Sequence, residues 1–161
     1  GNPLHRWFIP EPELVQLPNL DWRRAEVLDY FVDAYLKWIG EGADAFRIDT
    51  IGWVDHVFWK AFSDRIRERH PGYFMFAEHF SFDAAKIAEH THPENGAISV
   101  LDFPLQSAMS RAFGRKDEGF EVIAEALFLE DGPYANPYDL ALFYDNHDMP
   151  RLDADDQGFI D

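Results

Sequence analysis

At 161 residues the chain is long enough for one domain with a real core, and 47% hydrophobic with 16% aromatic residues exclude a disordered segment. Its 14 basic against 30 acidic residues, a formal net charge of −16, argue against nucleic acid and anionic membrane surfaces as partners, since both need clustered Lys and Arg. With no cysteine there is no disulfide framework, thiolate nucleophile or sulfur-built zinc site, and no apolar run approaches the roughly 18 residues of a membrane span.

Residues 1–20 carry Gly1, Pro3, Pro10, Pro12 and Pro18 and read as an irregular loop. There is no initiating Met and no signal-peptide apolar region, so both ends read as interior to a longer protein. Asp21 is placed to cap a helix over 21–39, with Val27, Leu28, Phe31, Tyr35 and Trp38 on its apolar face. Gly40 and Gly42 end it. A short strand over 45–48 follows, then a helix over 54–69 stopped by His70-Pro71-Gly72. The next strand, 73–77, is apolar throughout, as a strand buried on both faces should be. Beyond it the pattern predicts a short helix at 84–89, a strand at 98–103, helices at 105–113 and 120–129, and a last strand at 140–144.

Strands alternating with helices imply parallel pairing through right-handed crossovers. An open dinucleotide-type sheet and a (β/α)8 barrel share that pattern, but no Gly-rich phosphate loop follows any strand. Four βα steps fit the barrel's repeat of about 31 residues, from ~250 residues over eight units. The expected fold class is therefore α/β, half of a (β/α)8 barrel.

AFRID, YFMFAE and LALFYDNHD share one feature: a carboxylate (Asp49, Glu78, Asp148) just beyond the C-terminal end of a predicted strand. In a barrel that face holds the active site. Two carboxylates facing each other there are the equipment of glycoside hydrolysis, one as nucleophile and one as proton donor. Singly, each is more often a helix cap or a solvated loop residue. Three at corresponding positions carry the argument.

GADAFRIDT, FMFAEH and FYDNHD resemble three of the sequence regions that define the α-amylase family of glycoside hydrolases, and LPNLD at 17–21 resembles a fourth. Their order and spacing match, so the resemblance covers nearly the whole chain. It implies strands 4 to 7 of the catalytic barrel over residues 21–161, with residues 1–20 ending the loop domain inserted after strand 3. By the resemblance Asp49 is the nucleophile, Glu78 the acid/base, and Asp148 the third carboxylate that grips the sugar hydroxyls together with His147. Arg47, on the same side of the strand as Asp49, would hold that carboxylate ionised. Alternatively it is a barrel-interior salt bridge. Glu78 needs a raised pKa, to which Phe76 and Phe80 could contribute by desolvation.

The chain also departs from the family. The first-half motif with its Asp, Asn and His is not in it, and Gly52 and Trp53 stand where many α-amylases carry Lys-His for acceptor-side sugars. Trp53 could stack on a sugar, although a Trp entering a helix is more often packed. DTIGWVDHVFW and LDFPLQ look closer to cyclomaltodextrinase and neopullulanase-like members. Asn19 takes the place of an Asp calcium ligand, which disfavours a structural calcium; no cofactor is implied for the chemistry. His79, His90 and His92 invite a metal reading, and HxH at His90 and His92 could bind a cation, but EHTHPEN reads better as a polar loop, so no metal site is expected. The aromatic faces (Tyr30, Phe31, Tyr35, Trp38; Phe58, Trp59, Phe62) read as core rather than sugar platforms.

The expected activity is cleavage of α-1,4-linked glucans such as starch, maltooligosaccharides or cyclodextrins, with retention through a covalent intermediate. Alternatives are a transglycosylase, a sucrose- or trehalose-active member, and a non-catalytic barrel relative, which usually lacks one of the three carboxylates. Polysaccharide substrates point to a secreted or periplasmic setting.

Overall fold

The computed structural model describes residues 3–9, 18–115 and 118–151. Three parallel strands lie in the order β1 (Ala45–Ile48), β2 (Phe74–Ala77) and β3 (Ser99–Val100), with Arg47 beside Phe76 and Phe76 beside Ser99. Alternation along the strands sends Phe46, Ile48, Met75 and Ala77 to one face, where all are buried. Helices α1 (Ala25–Gly40) and α2 (His56–Arg69) cover that face with Val32, Phe58, Phe62 and Ile66. The Tyr35 ring lies edge-on to Phe46 at 4.6 Å and to Phe62 at 5.1 Å, contacts worth about 0.5–1.5 kcal/mol each beyond burial.

The other face is open. Phe74 is 43% exposed, which corrects the expectation of a strand buried on both sides. The crossover helices all return to one side, and the opposite face is the one a closed barrel fills with side chains from its other strands.

Local chemistry explains the helix ends. Asp55 caps α2 by accepting from the Val57 N–H at 2.8 Å, and Gly72, at φ 75°, makes the turn after it that a side chain would strain. Asp21 does not cap α1: its carboxylate takes Arg23 Nε at 2.7 Å, and the helix begins at Ala25 after Arg24, with no side-chain cap. Phe31 and Tyr35 pack on the core, but Trp38 is 62% and Tyr30 59% exposed, so the aromatic face of α1 is narrower than predicted.

The strand predicted at 98–103 is cut to β3 because Asp102 turns the chain, its carboxylate accepting the Leu105 N–H at 2.9 Å to cap α4 (Phe103–Met109). A π turn at Ser110–Gly114 extends α4, while α3 (Ala84–Ala88) and α5 (Glu121–Ala126) are short. The last predicted strand reduces to a single parallel bridge, Leu101 with Ala141, made by Ala141 N–H to Val100 O and Asp102 N–H to Ala141 O. Leu142 beyond it is 65% exposed, while the Phe143 ring meets Phe103 at 5.0 Å, so side-chain packing rather than a ladder holds the rest of the run. Among the described residues no helix is long and apolar enough to cross a membrane.

Candidate active site

The β1–β2 ladder continues past the strands and fixes the two turns that follow them. Glu78 N–H donates to Ile48 O at 2.8 Å, and Ile51 N–H returns the contact to Glu78 O at 2.9 Å. Thr50 turns the chain between them at φ 47°, a conformation that costs a β-branched residue energy and that tends to persist at functional sites. Asp49 and Glu78 therefore emerge side by side from the same end of the sheet.

A single guanidinium joins them. Arg47 Nη1 donates to Asp49 Oδ1 at 2.7 Å, and Nη2 lies 3.5 Å from Glu78 Oε2. Their surroundings differ: the Asp49 side chain is 68% exposed, while Glu78 is buried. Burial is the main cause that pushes the Glu78 pKa up, aided by its hydrogen bond with Asp49 and that group's charge; Arg47 and the Thr50 N–H pull the other way without cancelling the shift. One carboxylate is exposed and free to attack, and its neighbour holds its proton to higher pH than an ordinary glutamate does. Phe80, offered as a source of desolvation, is exposed, and its ring meets Phe103 at 4.8 Å.

A cavity of about 300 Å³ opens beside Asp49, with Asn19, Trp22, Thr50 and Trp53 in its walls. Trp53 is 51% exposed, so its ring is available rather than packed. Asp21 of the 17–21 motif lies nearby in the chain, and Leu17 falls outside the described residues.

Asp148 and His147 lie apart from this pair in bonding. His147 Nε2 is 3.0 Å from Asp148 Oδ2, and the Asp148 N–H donates to Asn146 Oδ1 at 2.9 Å. Among the described residues no hydrogen bond or ion pair links either one to Arg47, Asp49 or Glu78.

The sequence reading singled out His79 and His90 but not His56, nor the hydrogen bonds that join the three rings. His90 joins His79 (ring nitrogens 2.9 Å apart) and His56 (3.0 Å), whereas His92 turns away to Pro133 O at 2.9 Å. The HxH spacing is thus not a shared site, and EHTHPEN is no solvated loop at His90, which is 2% exposed. Adjacent positions gave no signal of this because His56 is 34 residues from His90. Among the described residues no group of three or more His, Asp or Glu side chains is placed to hold a metal ion.

Comparison with known proteins adds family information. The sequence model of the alpha-amylase catalytic domain matches residues 7–155. An alpha-amylase of Streptomyces lividans is 33% identical over 146 residues, 84% of this chain and 16% of that protein. A cyclomaltodextrin glucanotransferase of Bacillus licheniformis is 30% identical over 140 residues, 86% of this chain and 19% of the relative. The crystal structure of an alpha-amylase from Geobacillus thermoleovorans, complexed with acarbose, superposes with a TM-score of 0.84 at 28% identity, covering 94% of this chain and 37% of that one. The chain thus spans about a sixth to a fifth of the length of these curated relatives.

Proposed function

Since the chain belongs to the alpha-amylase catalytic-domain family, whose fold is a (β/α)8 barrel, we propose that it supplies the nucleophile and the acid/base of a retaining enzyme acting on α-1,4-linked glucans. The observation that carries this reading is the Arg47 bridge between an exposed carboxylate and a buried one with a raised pKa. Asp49 attacks the anomeric carbon as Glu78 gives its proton to the departing glycosidic oxygen, so the C–O bond breaks and a glycosyl ester forms on Asp49. Glu78, now a carboxylate, takes the proton of an incoming hydroxyl, which attacks the same carbon and frees Asp49. A water hydroxyl gives hydrolysis; a sugar hydroxyl gives transfer.

Asp148 and His147 then hold the sugar's hydroxyls, and Trp53 offers its face to a neighbouring ring. Residues 1–20 are assigned to the end of a loop domain and 21–161 to the barrel. The test is stereochemical: proton NMR of freshly mixed intact enzyme and maltooligosaccharide should show the α-anomer of the new reducing end first. A β-anomer appearing first would mean single displacement and would end this assignment.

A further inference from the structure

We propose that His90 is a positioning residue for the catalytic pair: bonded at both ring nitrogens, it holds His79 against Gly52 and so braces the turn after Asp49 on the turn that carries Glu78. The proposal rests on the function assigned above to Asp49 and Glu78. His79 follows Glu78 directly, and Gly52 lies three residues after Asp49. A Cβ added at Gly52 would sit 3.1 Å from His79 Nε2, so the ring occupies the space a side chain would need. On its other side the ring is held by His90 through Nδ1, and His90 in turn by His56 at the first turn of α2. The three rings also meet edge-on, with centroids 5.1 and 4.7 Å apart. The brace therefore runs from α2 through a buried imidazole to the loop of the acid/base.

Proton counting gives the chain a distinctive behaviour. A neutral imidazole has one donor and one acceptor nitrogen. Each of the two inner hydrogen bonds needs one proton, so three neutral rings leave one N–H for the outer nitrogens, His56 Nδ1 and His79 Nε2. One added proton fills the remaining outer nitrogen with both bonds intact. A second would set two N–H groups head to head and break the chain. Burial, with the charges of His56 and His79, keeps His90 neutral, pushing its pKa down to about 3. Burial also lowers His79, opposed by Glu89, with His56 and Lys86 lowering it further. Asp55 and Glu89 line the same pocket of about 330 Å³ and are the acidic groups facing the cluster there.

The test uses the intact enzyme and the variants His90→Phe, His79→Ala, Gly52→Ala and the Gly52/His79 double. His90→Phe keeps an aromatic ring but cannot bond, and should lower kcat roughly tenfold while KM stays within about twofold, as a displacement well under 1 Å would. Gly52→Ala should act in the same direction, and should cost nothing further, in kcat or Tm, once His79 is Ala. Nitrogen-15 NMR of the imidazoles should show both ring nitrogens of His90 hydrogen-bonded in the parent, and the His79 Nδ1 signal losing its hydrogen bond in His90→Phe. Additive effects of Gly52→Ala and His79→Ala, or a His90→Phe variant that loses Tm with kcat and the His79 imidazole signals unchanged, would overturn the brace. Absence of glucan cleavage by the parent, with the hydrogen-bonded imidazole signals and coupled Tm effects present, would instead remove the proposed function and leave the brace without its catalytic role.

Discussion

Asp49 and Glu78 stand at the ends of neighbouring strands whose backbones bond to each other on both sides of the turn, whereas Asp148 stands seven residues past a single bridge. The first two inherit their relative position from the sheet: Ile48 O, Glu78 N, Glu78 O and Ile51 N leave the turns little freedom. Asp148 depends on contacts within its own loop, with Asn146 and His147, and on Gln106 Nε2 reaching Tyr144 O at 3.1 Å. Parallel pairing therefore sets a carboxylate pair even within three strands, while a third group on a loop takes its place from whatever packs around that loop.

The sharpest way to break this comparison is chemical. Asp49→Asn in the intact enzyme should lose about 10⁴-fold or more in kcat on glucans, as removal of a nucleophile does, with an unchanged Tm because the side chain is exposed. Glu78→Gln should lose about 10²–10⁴-fold on glucans but far less on substrates whose leaving group needs no proton. Equal losses on both substrates would mean that Glu78 is not the acid.

Asp148→Asn should lose about 10²-fold in kcat with no effect on Tm, since its carboxylate is half exposed and, among the described residues, pairs only with His147. A Tm drop comparable to that of a core variant would show that the 140–148 segment is as tightly built as the β1–β2 ends. Arg47→Met sharpens the contrast from the other side. Arg47 lowers the Glu78 pKa, so its loss should raise that pKa further and move the alkaline limb of the pH–kcat profile to higher pH, with a fall of about tenfold or more at the optimum. An unshifted limb would mean that the 3.5 Å contact is electrostatically silent.

Much of this was legible in the sequence, and the failures have physical causes. β1 and the end of α2 before Gly72 were legible from local signals, whereas α2 starts two residues later than expected because Asp55 caps it. The start of α1 was misplaced because Asp21 has a competing partner, Arg23, two residues away. Strand 140–144 was over-extended because an apolar run cannot report that, among the described residues, only Ala141 finds a ladder partner, in Leu101. Arg47, Asp49 and Glu78 come together at one end of the sheet, a placement that motif and strand period both pointed to. The His56–His90–His79 chain was invisible, since its members come from α2, the turn after β2 and the turn after α3, and only the fold brings them together.

The smallest expected effect is on stability. A carboxyl whose pKa is raised by folding contributes stability below its unfolded value of 4.5 and loses it as pH rises through the folded pKa. Burial thus disfavours the charged form of Glu78, and Glu78→Gln should raise Tm at pH 7 while giving no gain at pH 4. A gain of equal size at both pH values would show that burial of the charge is not the cause.

The central claim is that Asp49 carries the glycosyl group while Glu78 serves the proton. It is tested most directly by mixing the Glu78→Gln enzyme with α-maltosyl fluoride, whose departing fluoride needs no acid, and quenching within milliseconds. The missing base should let the intermediate accumulate, so mass spectrometry should find a maltosyl adduct on the peptide that contains Asp49 and none in an Asp49→Asn background. An adduct on another carboxylate, or none while fluoride is still released, would contradict the assignment.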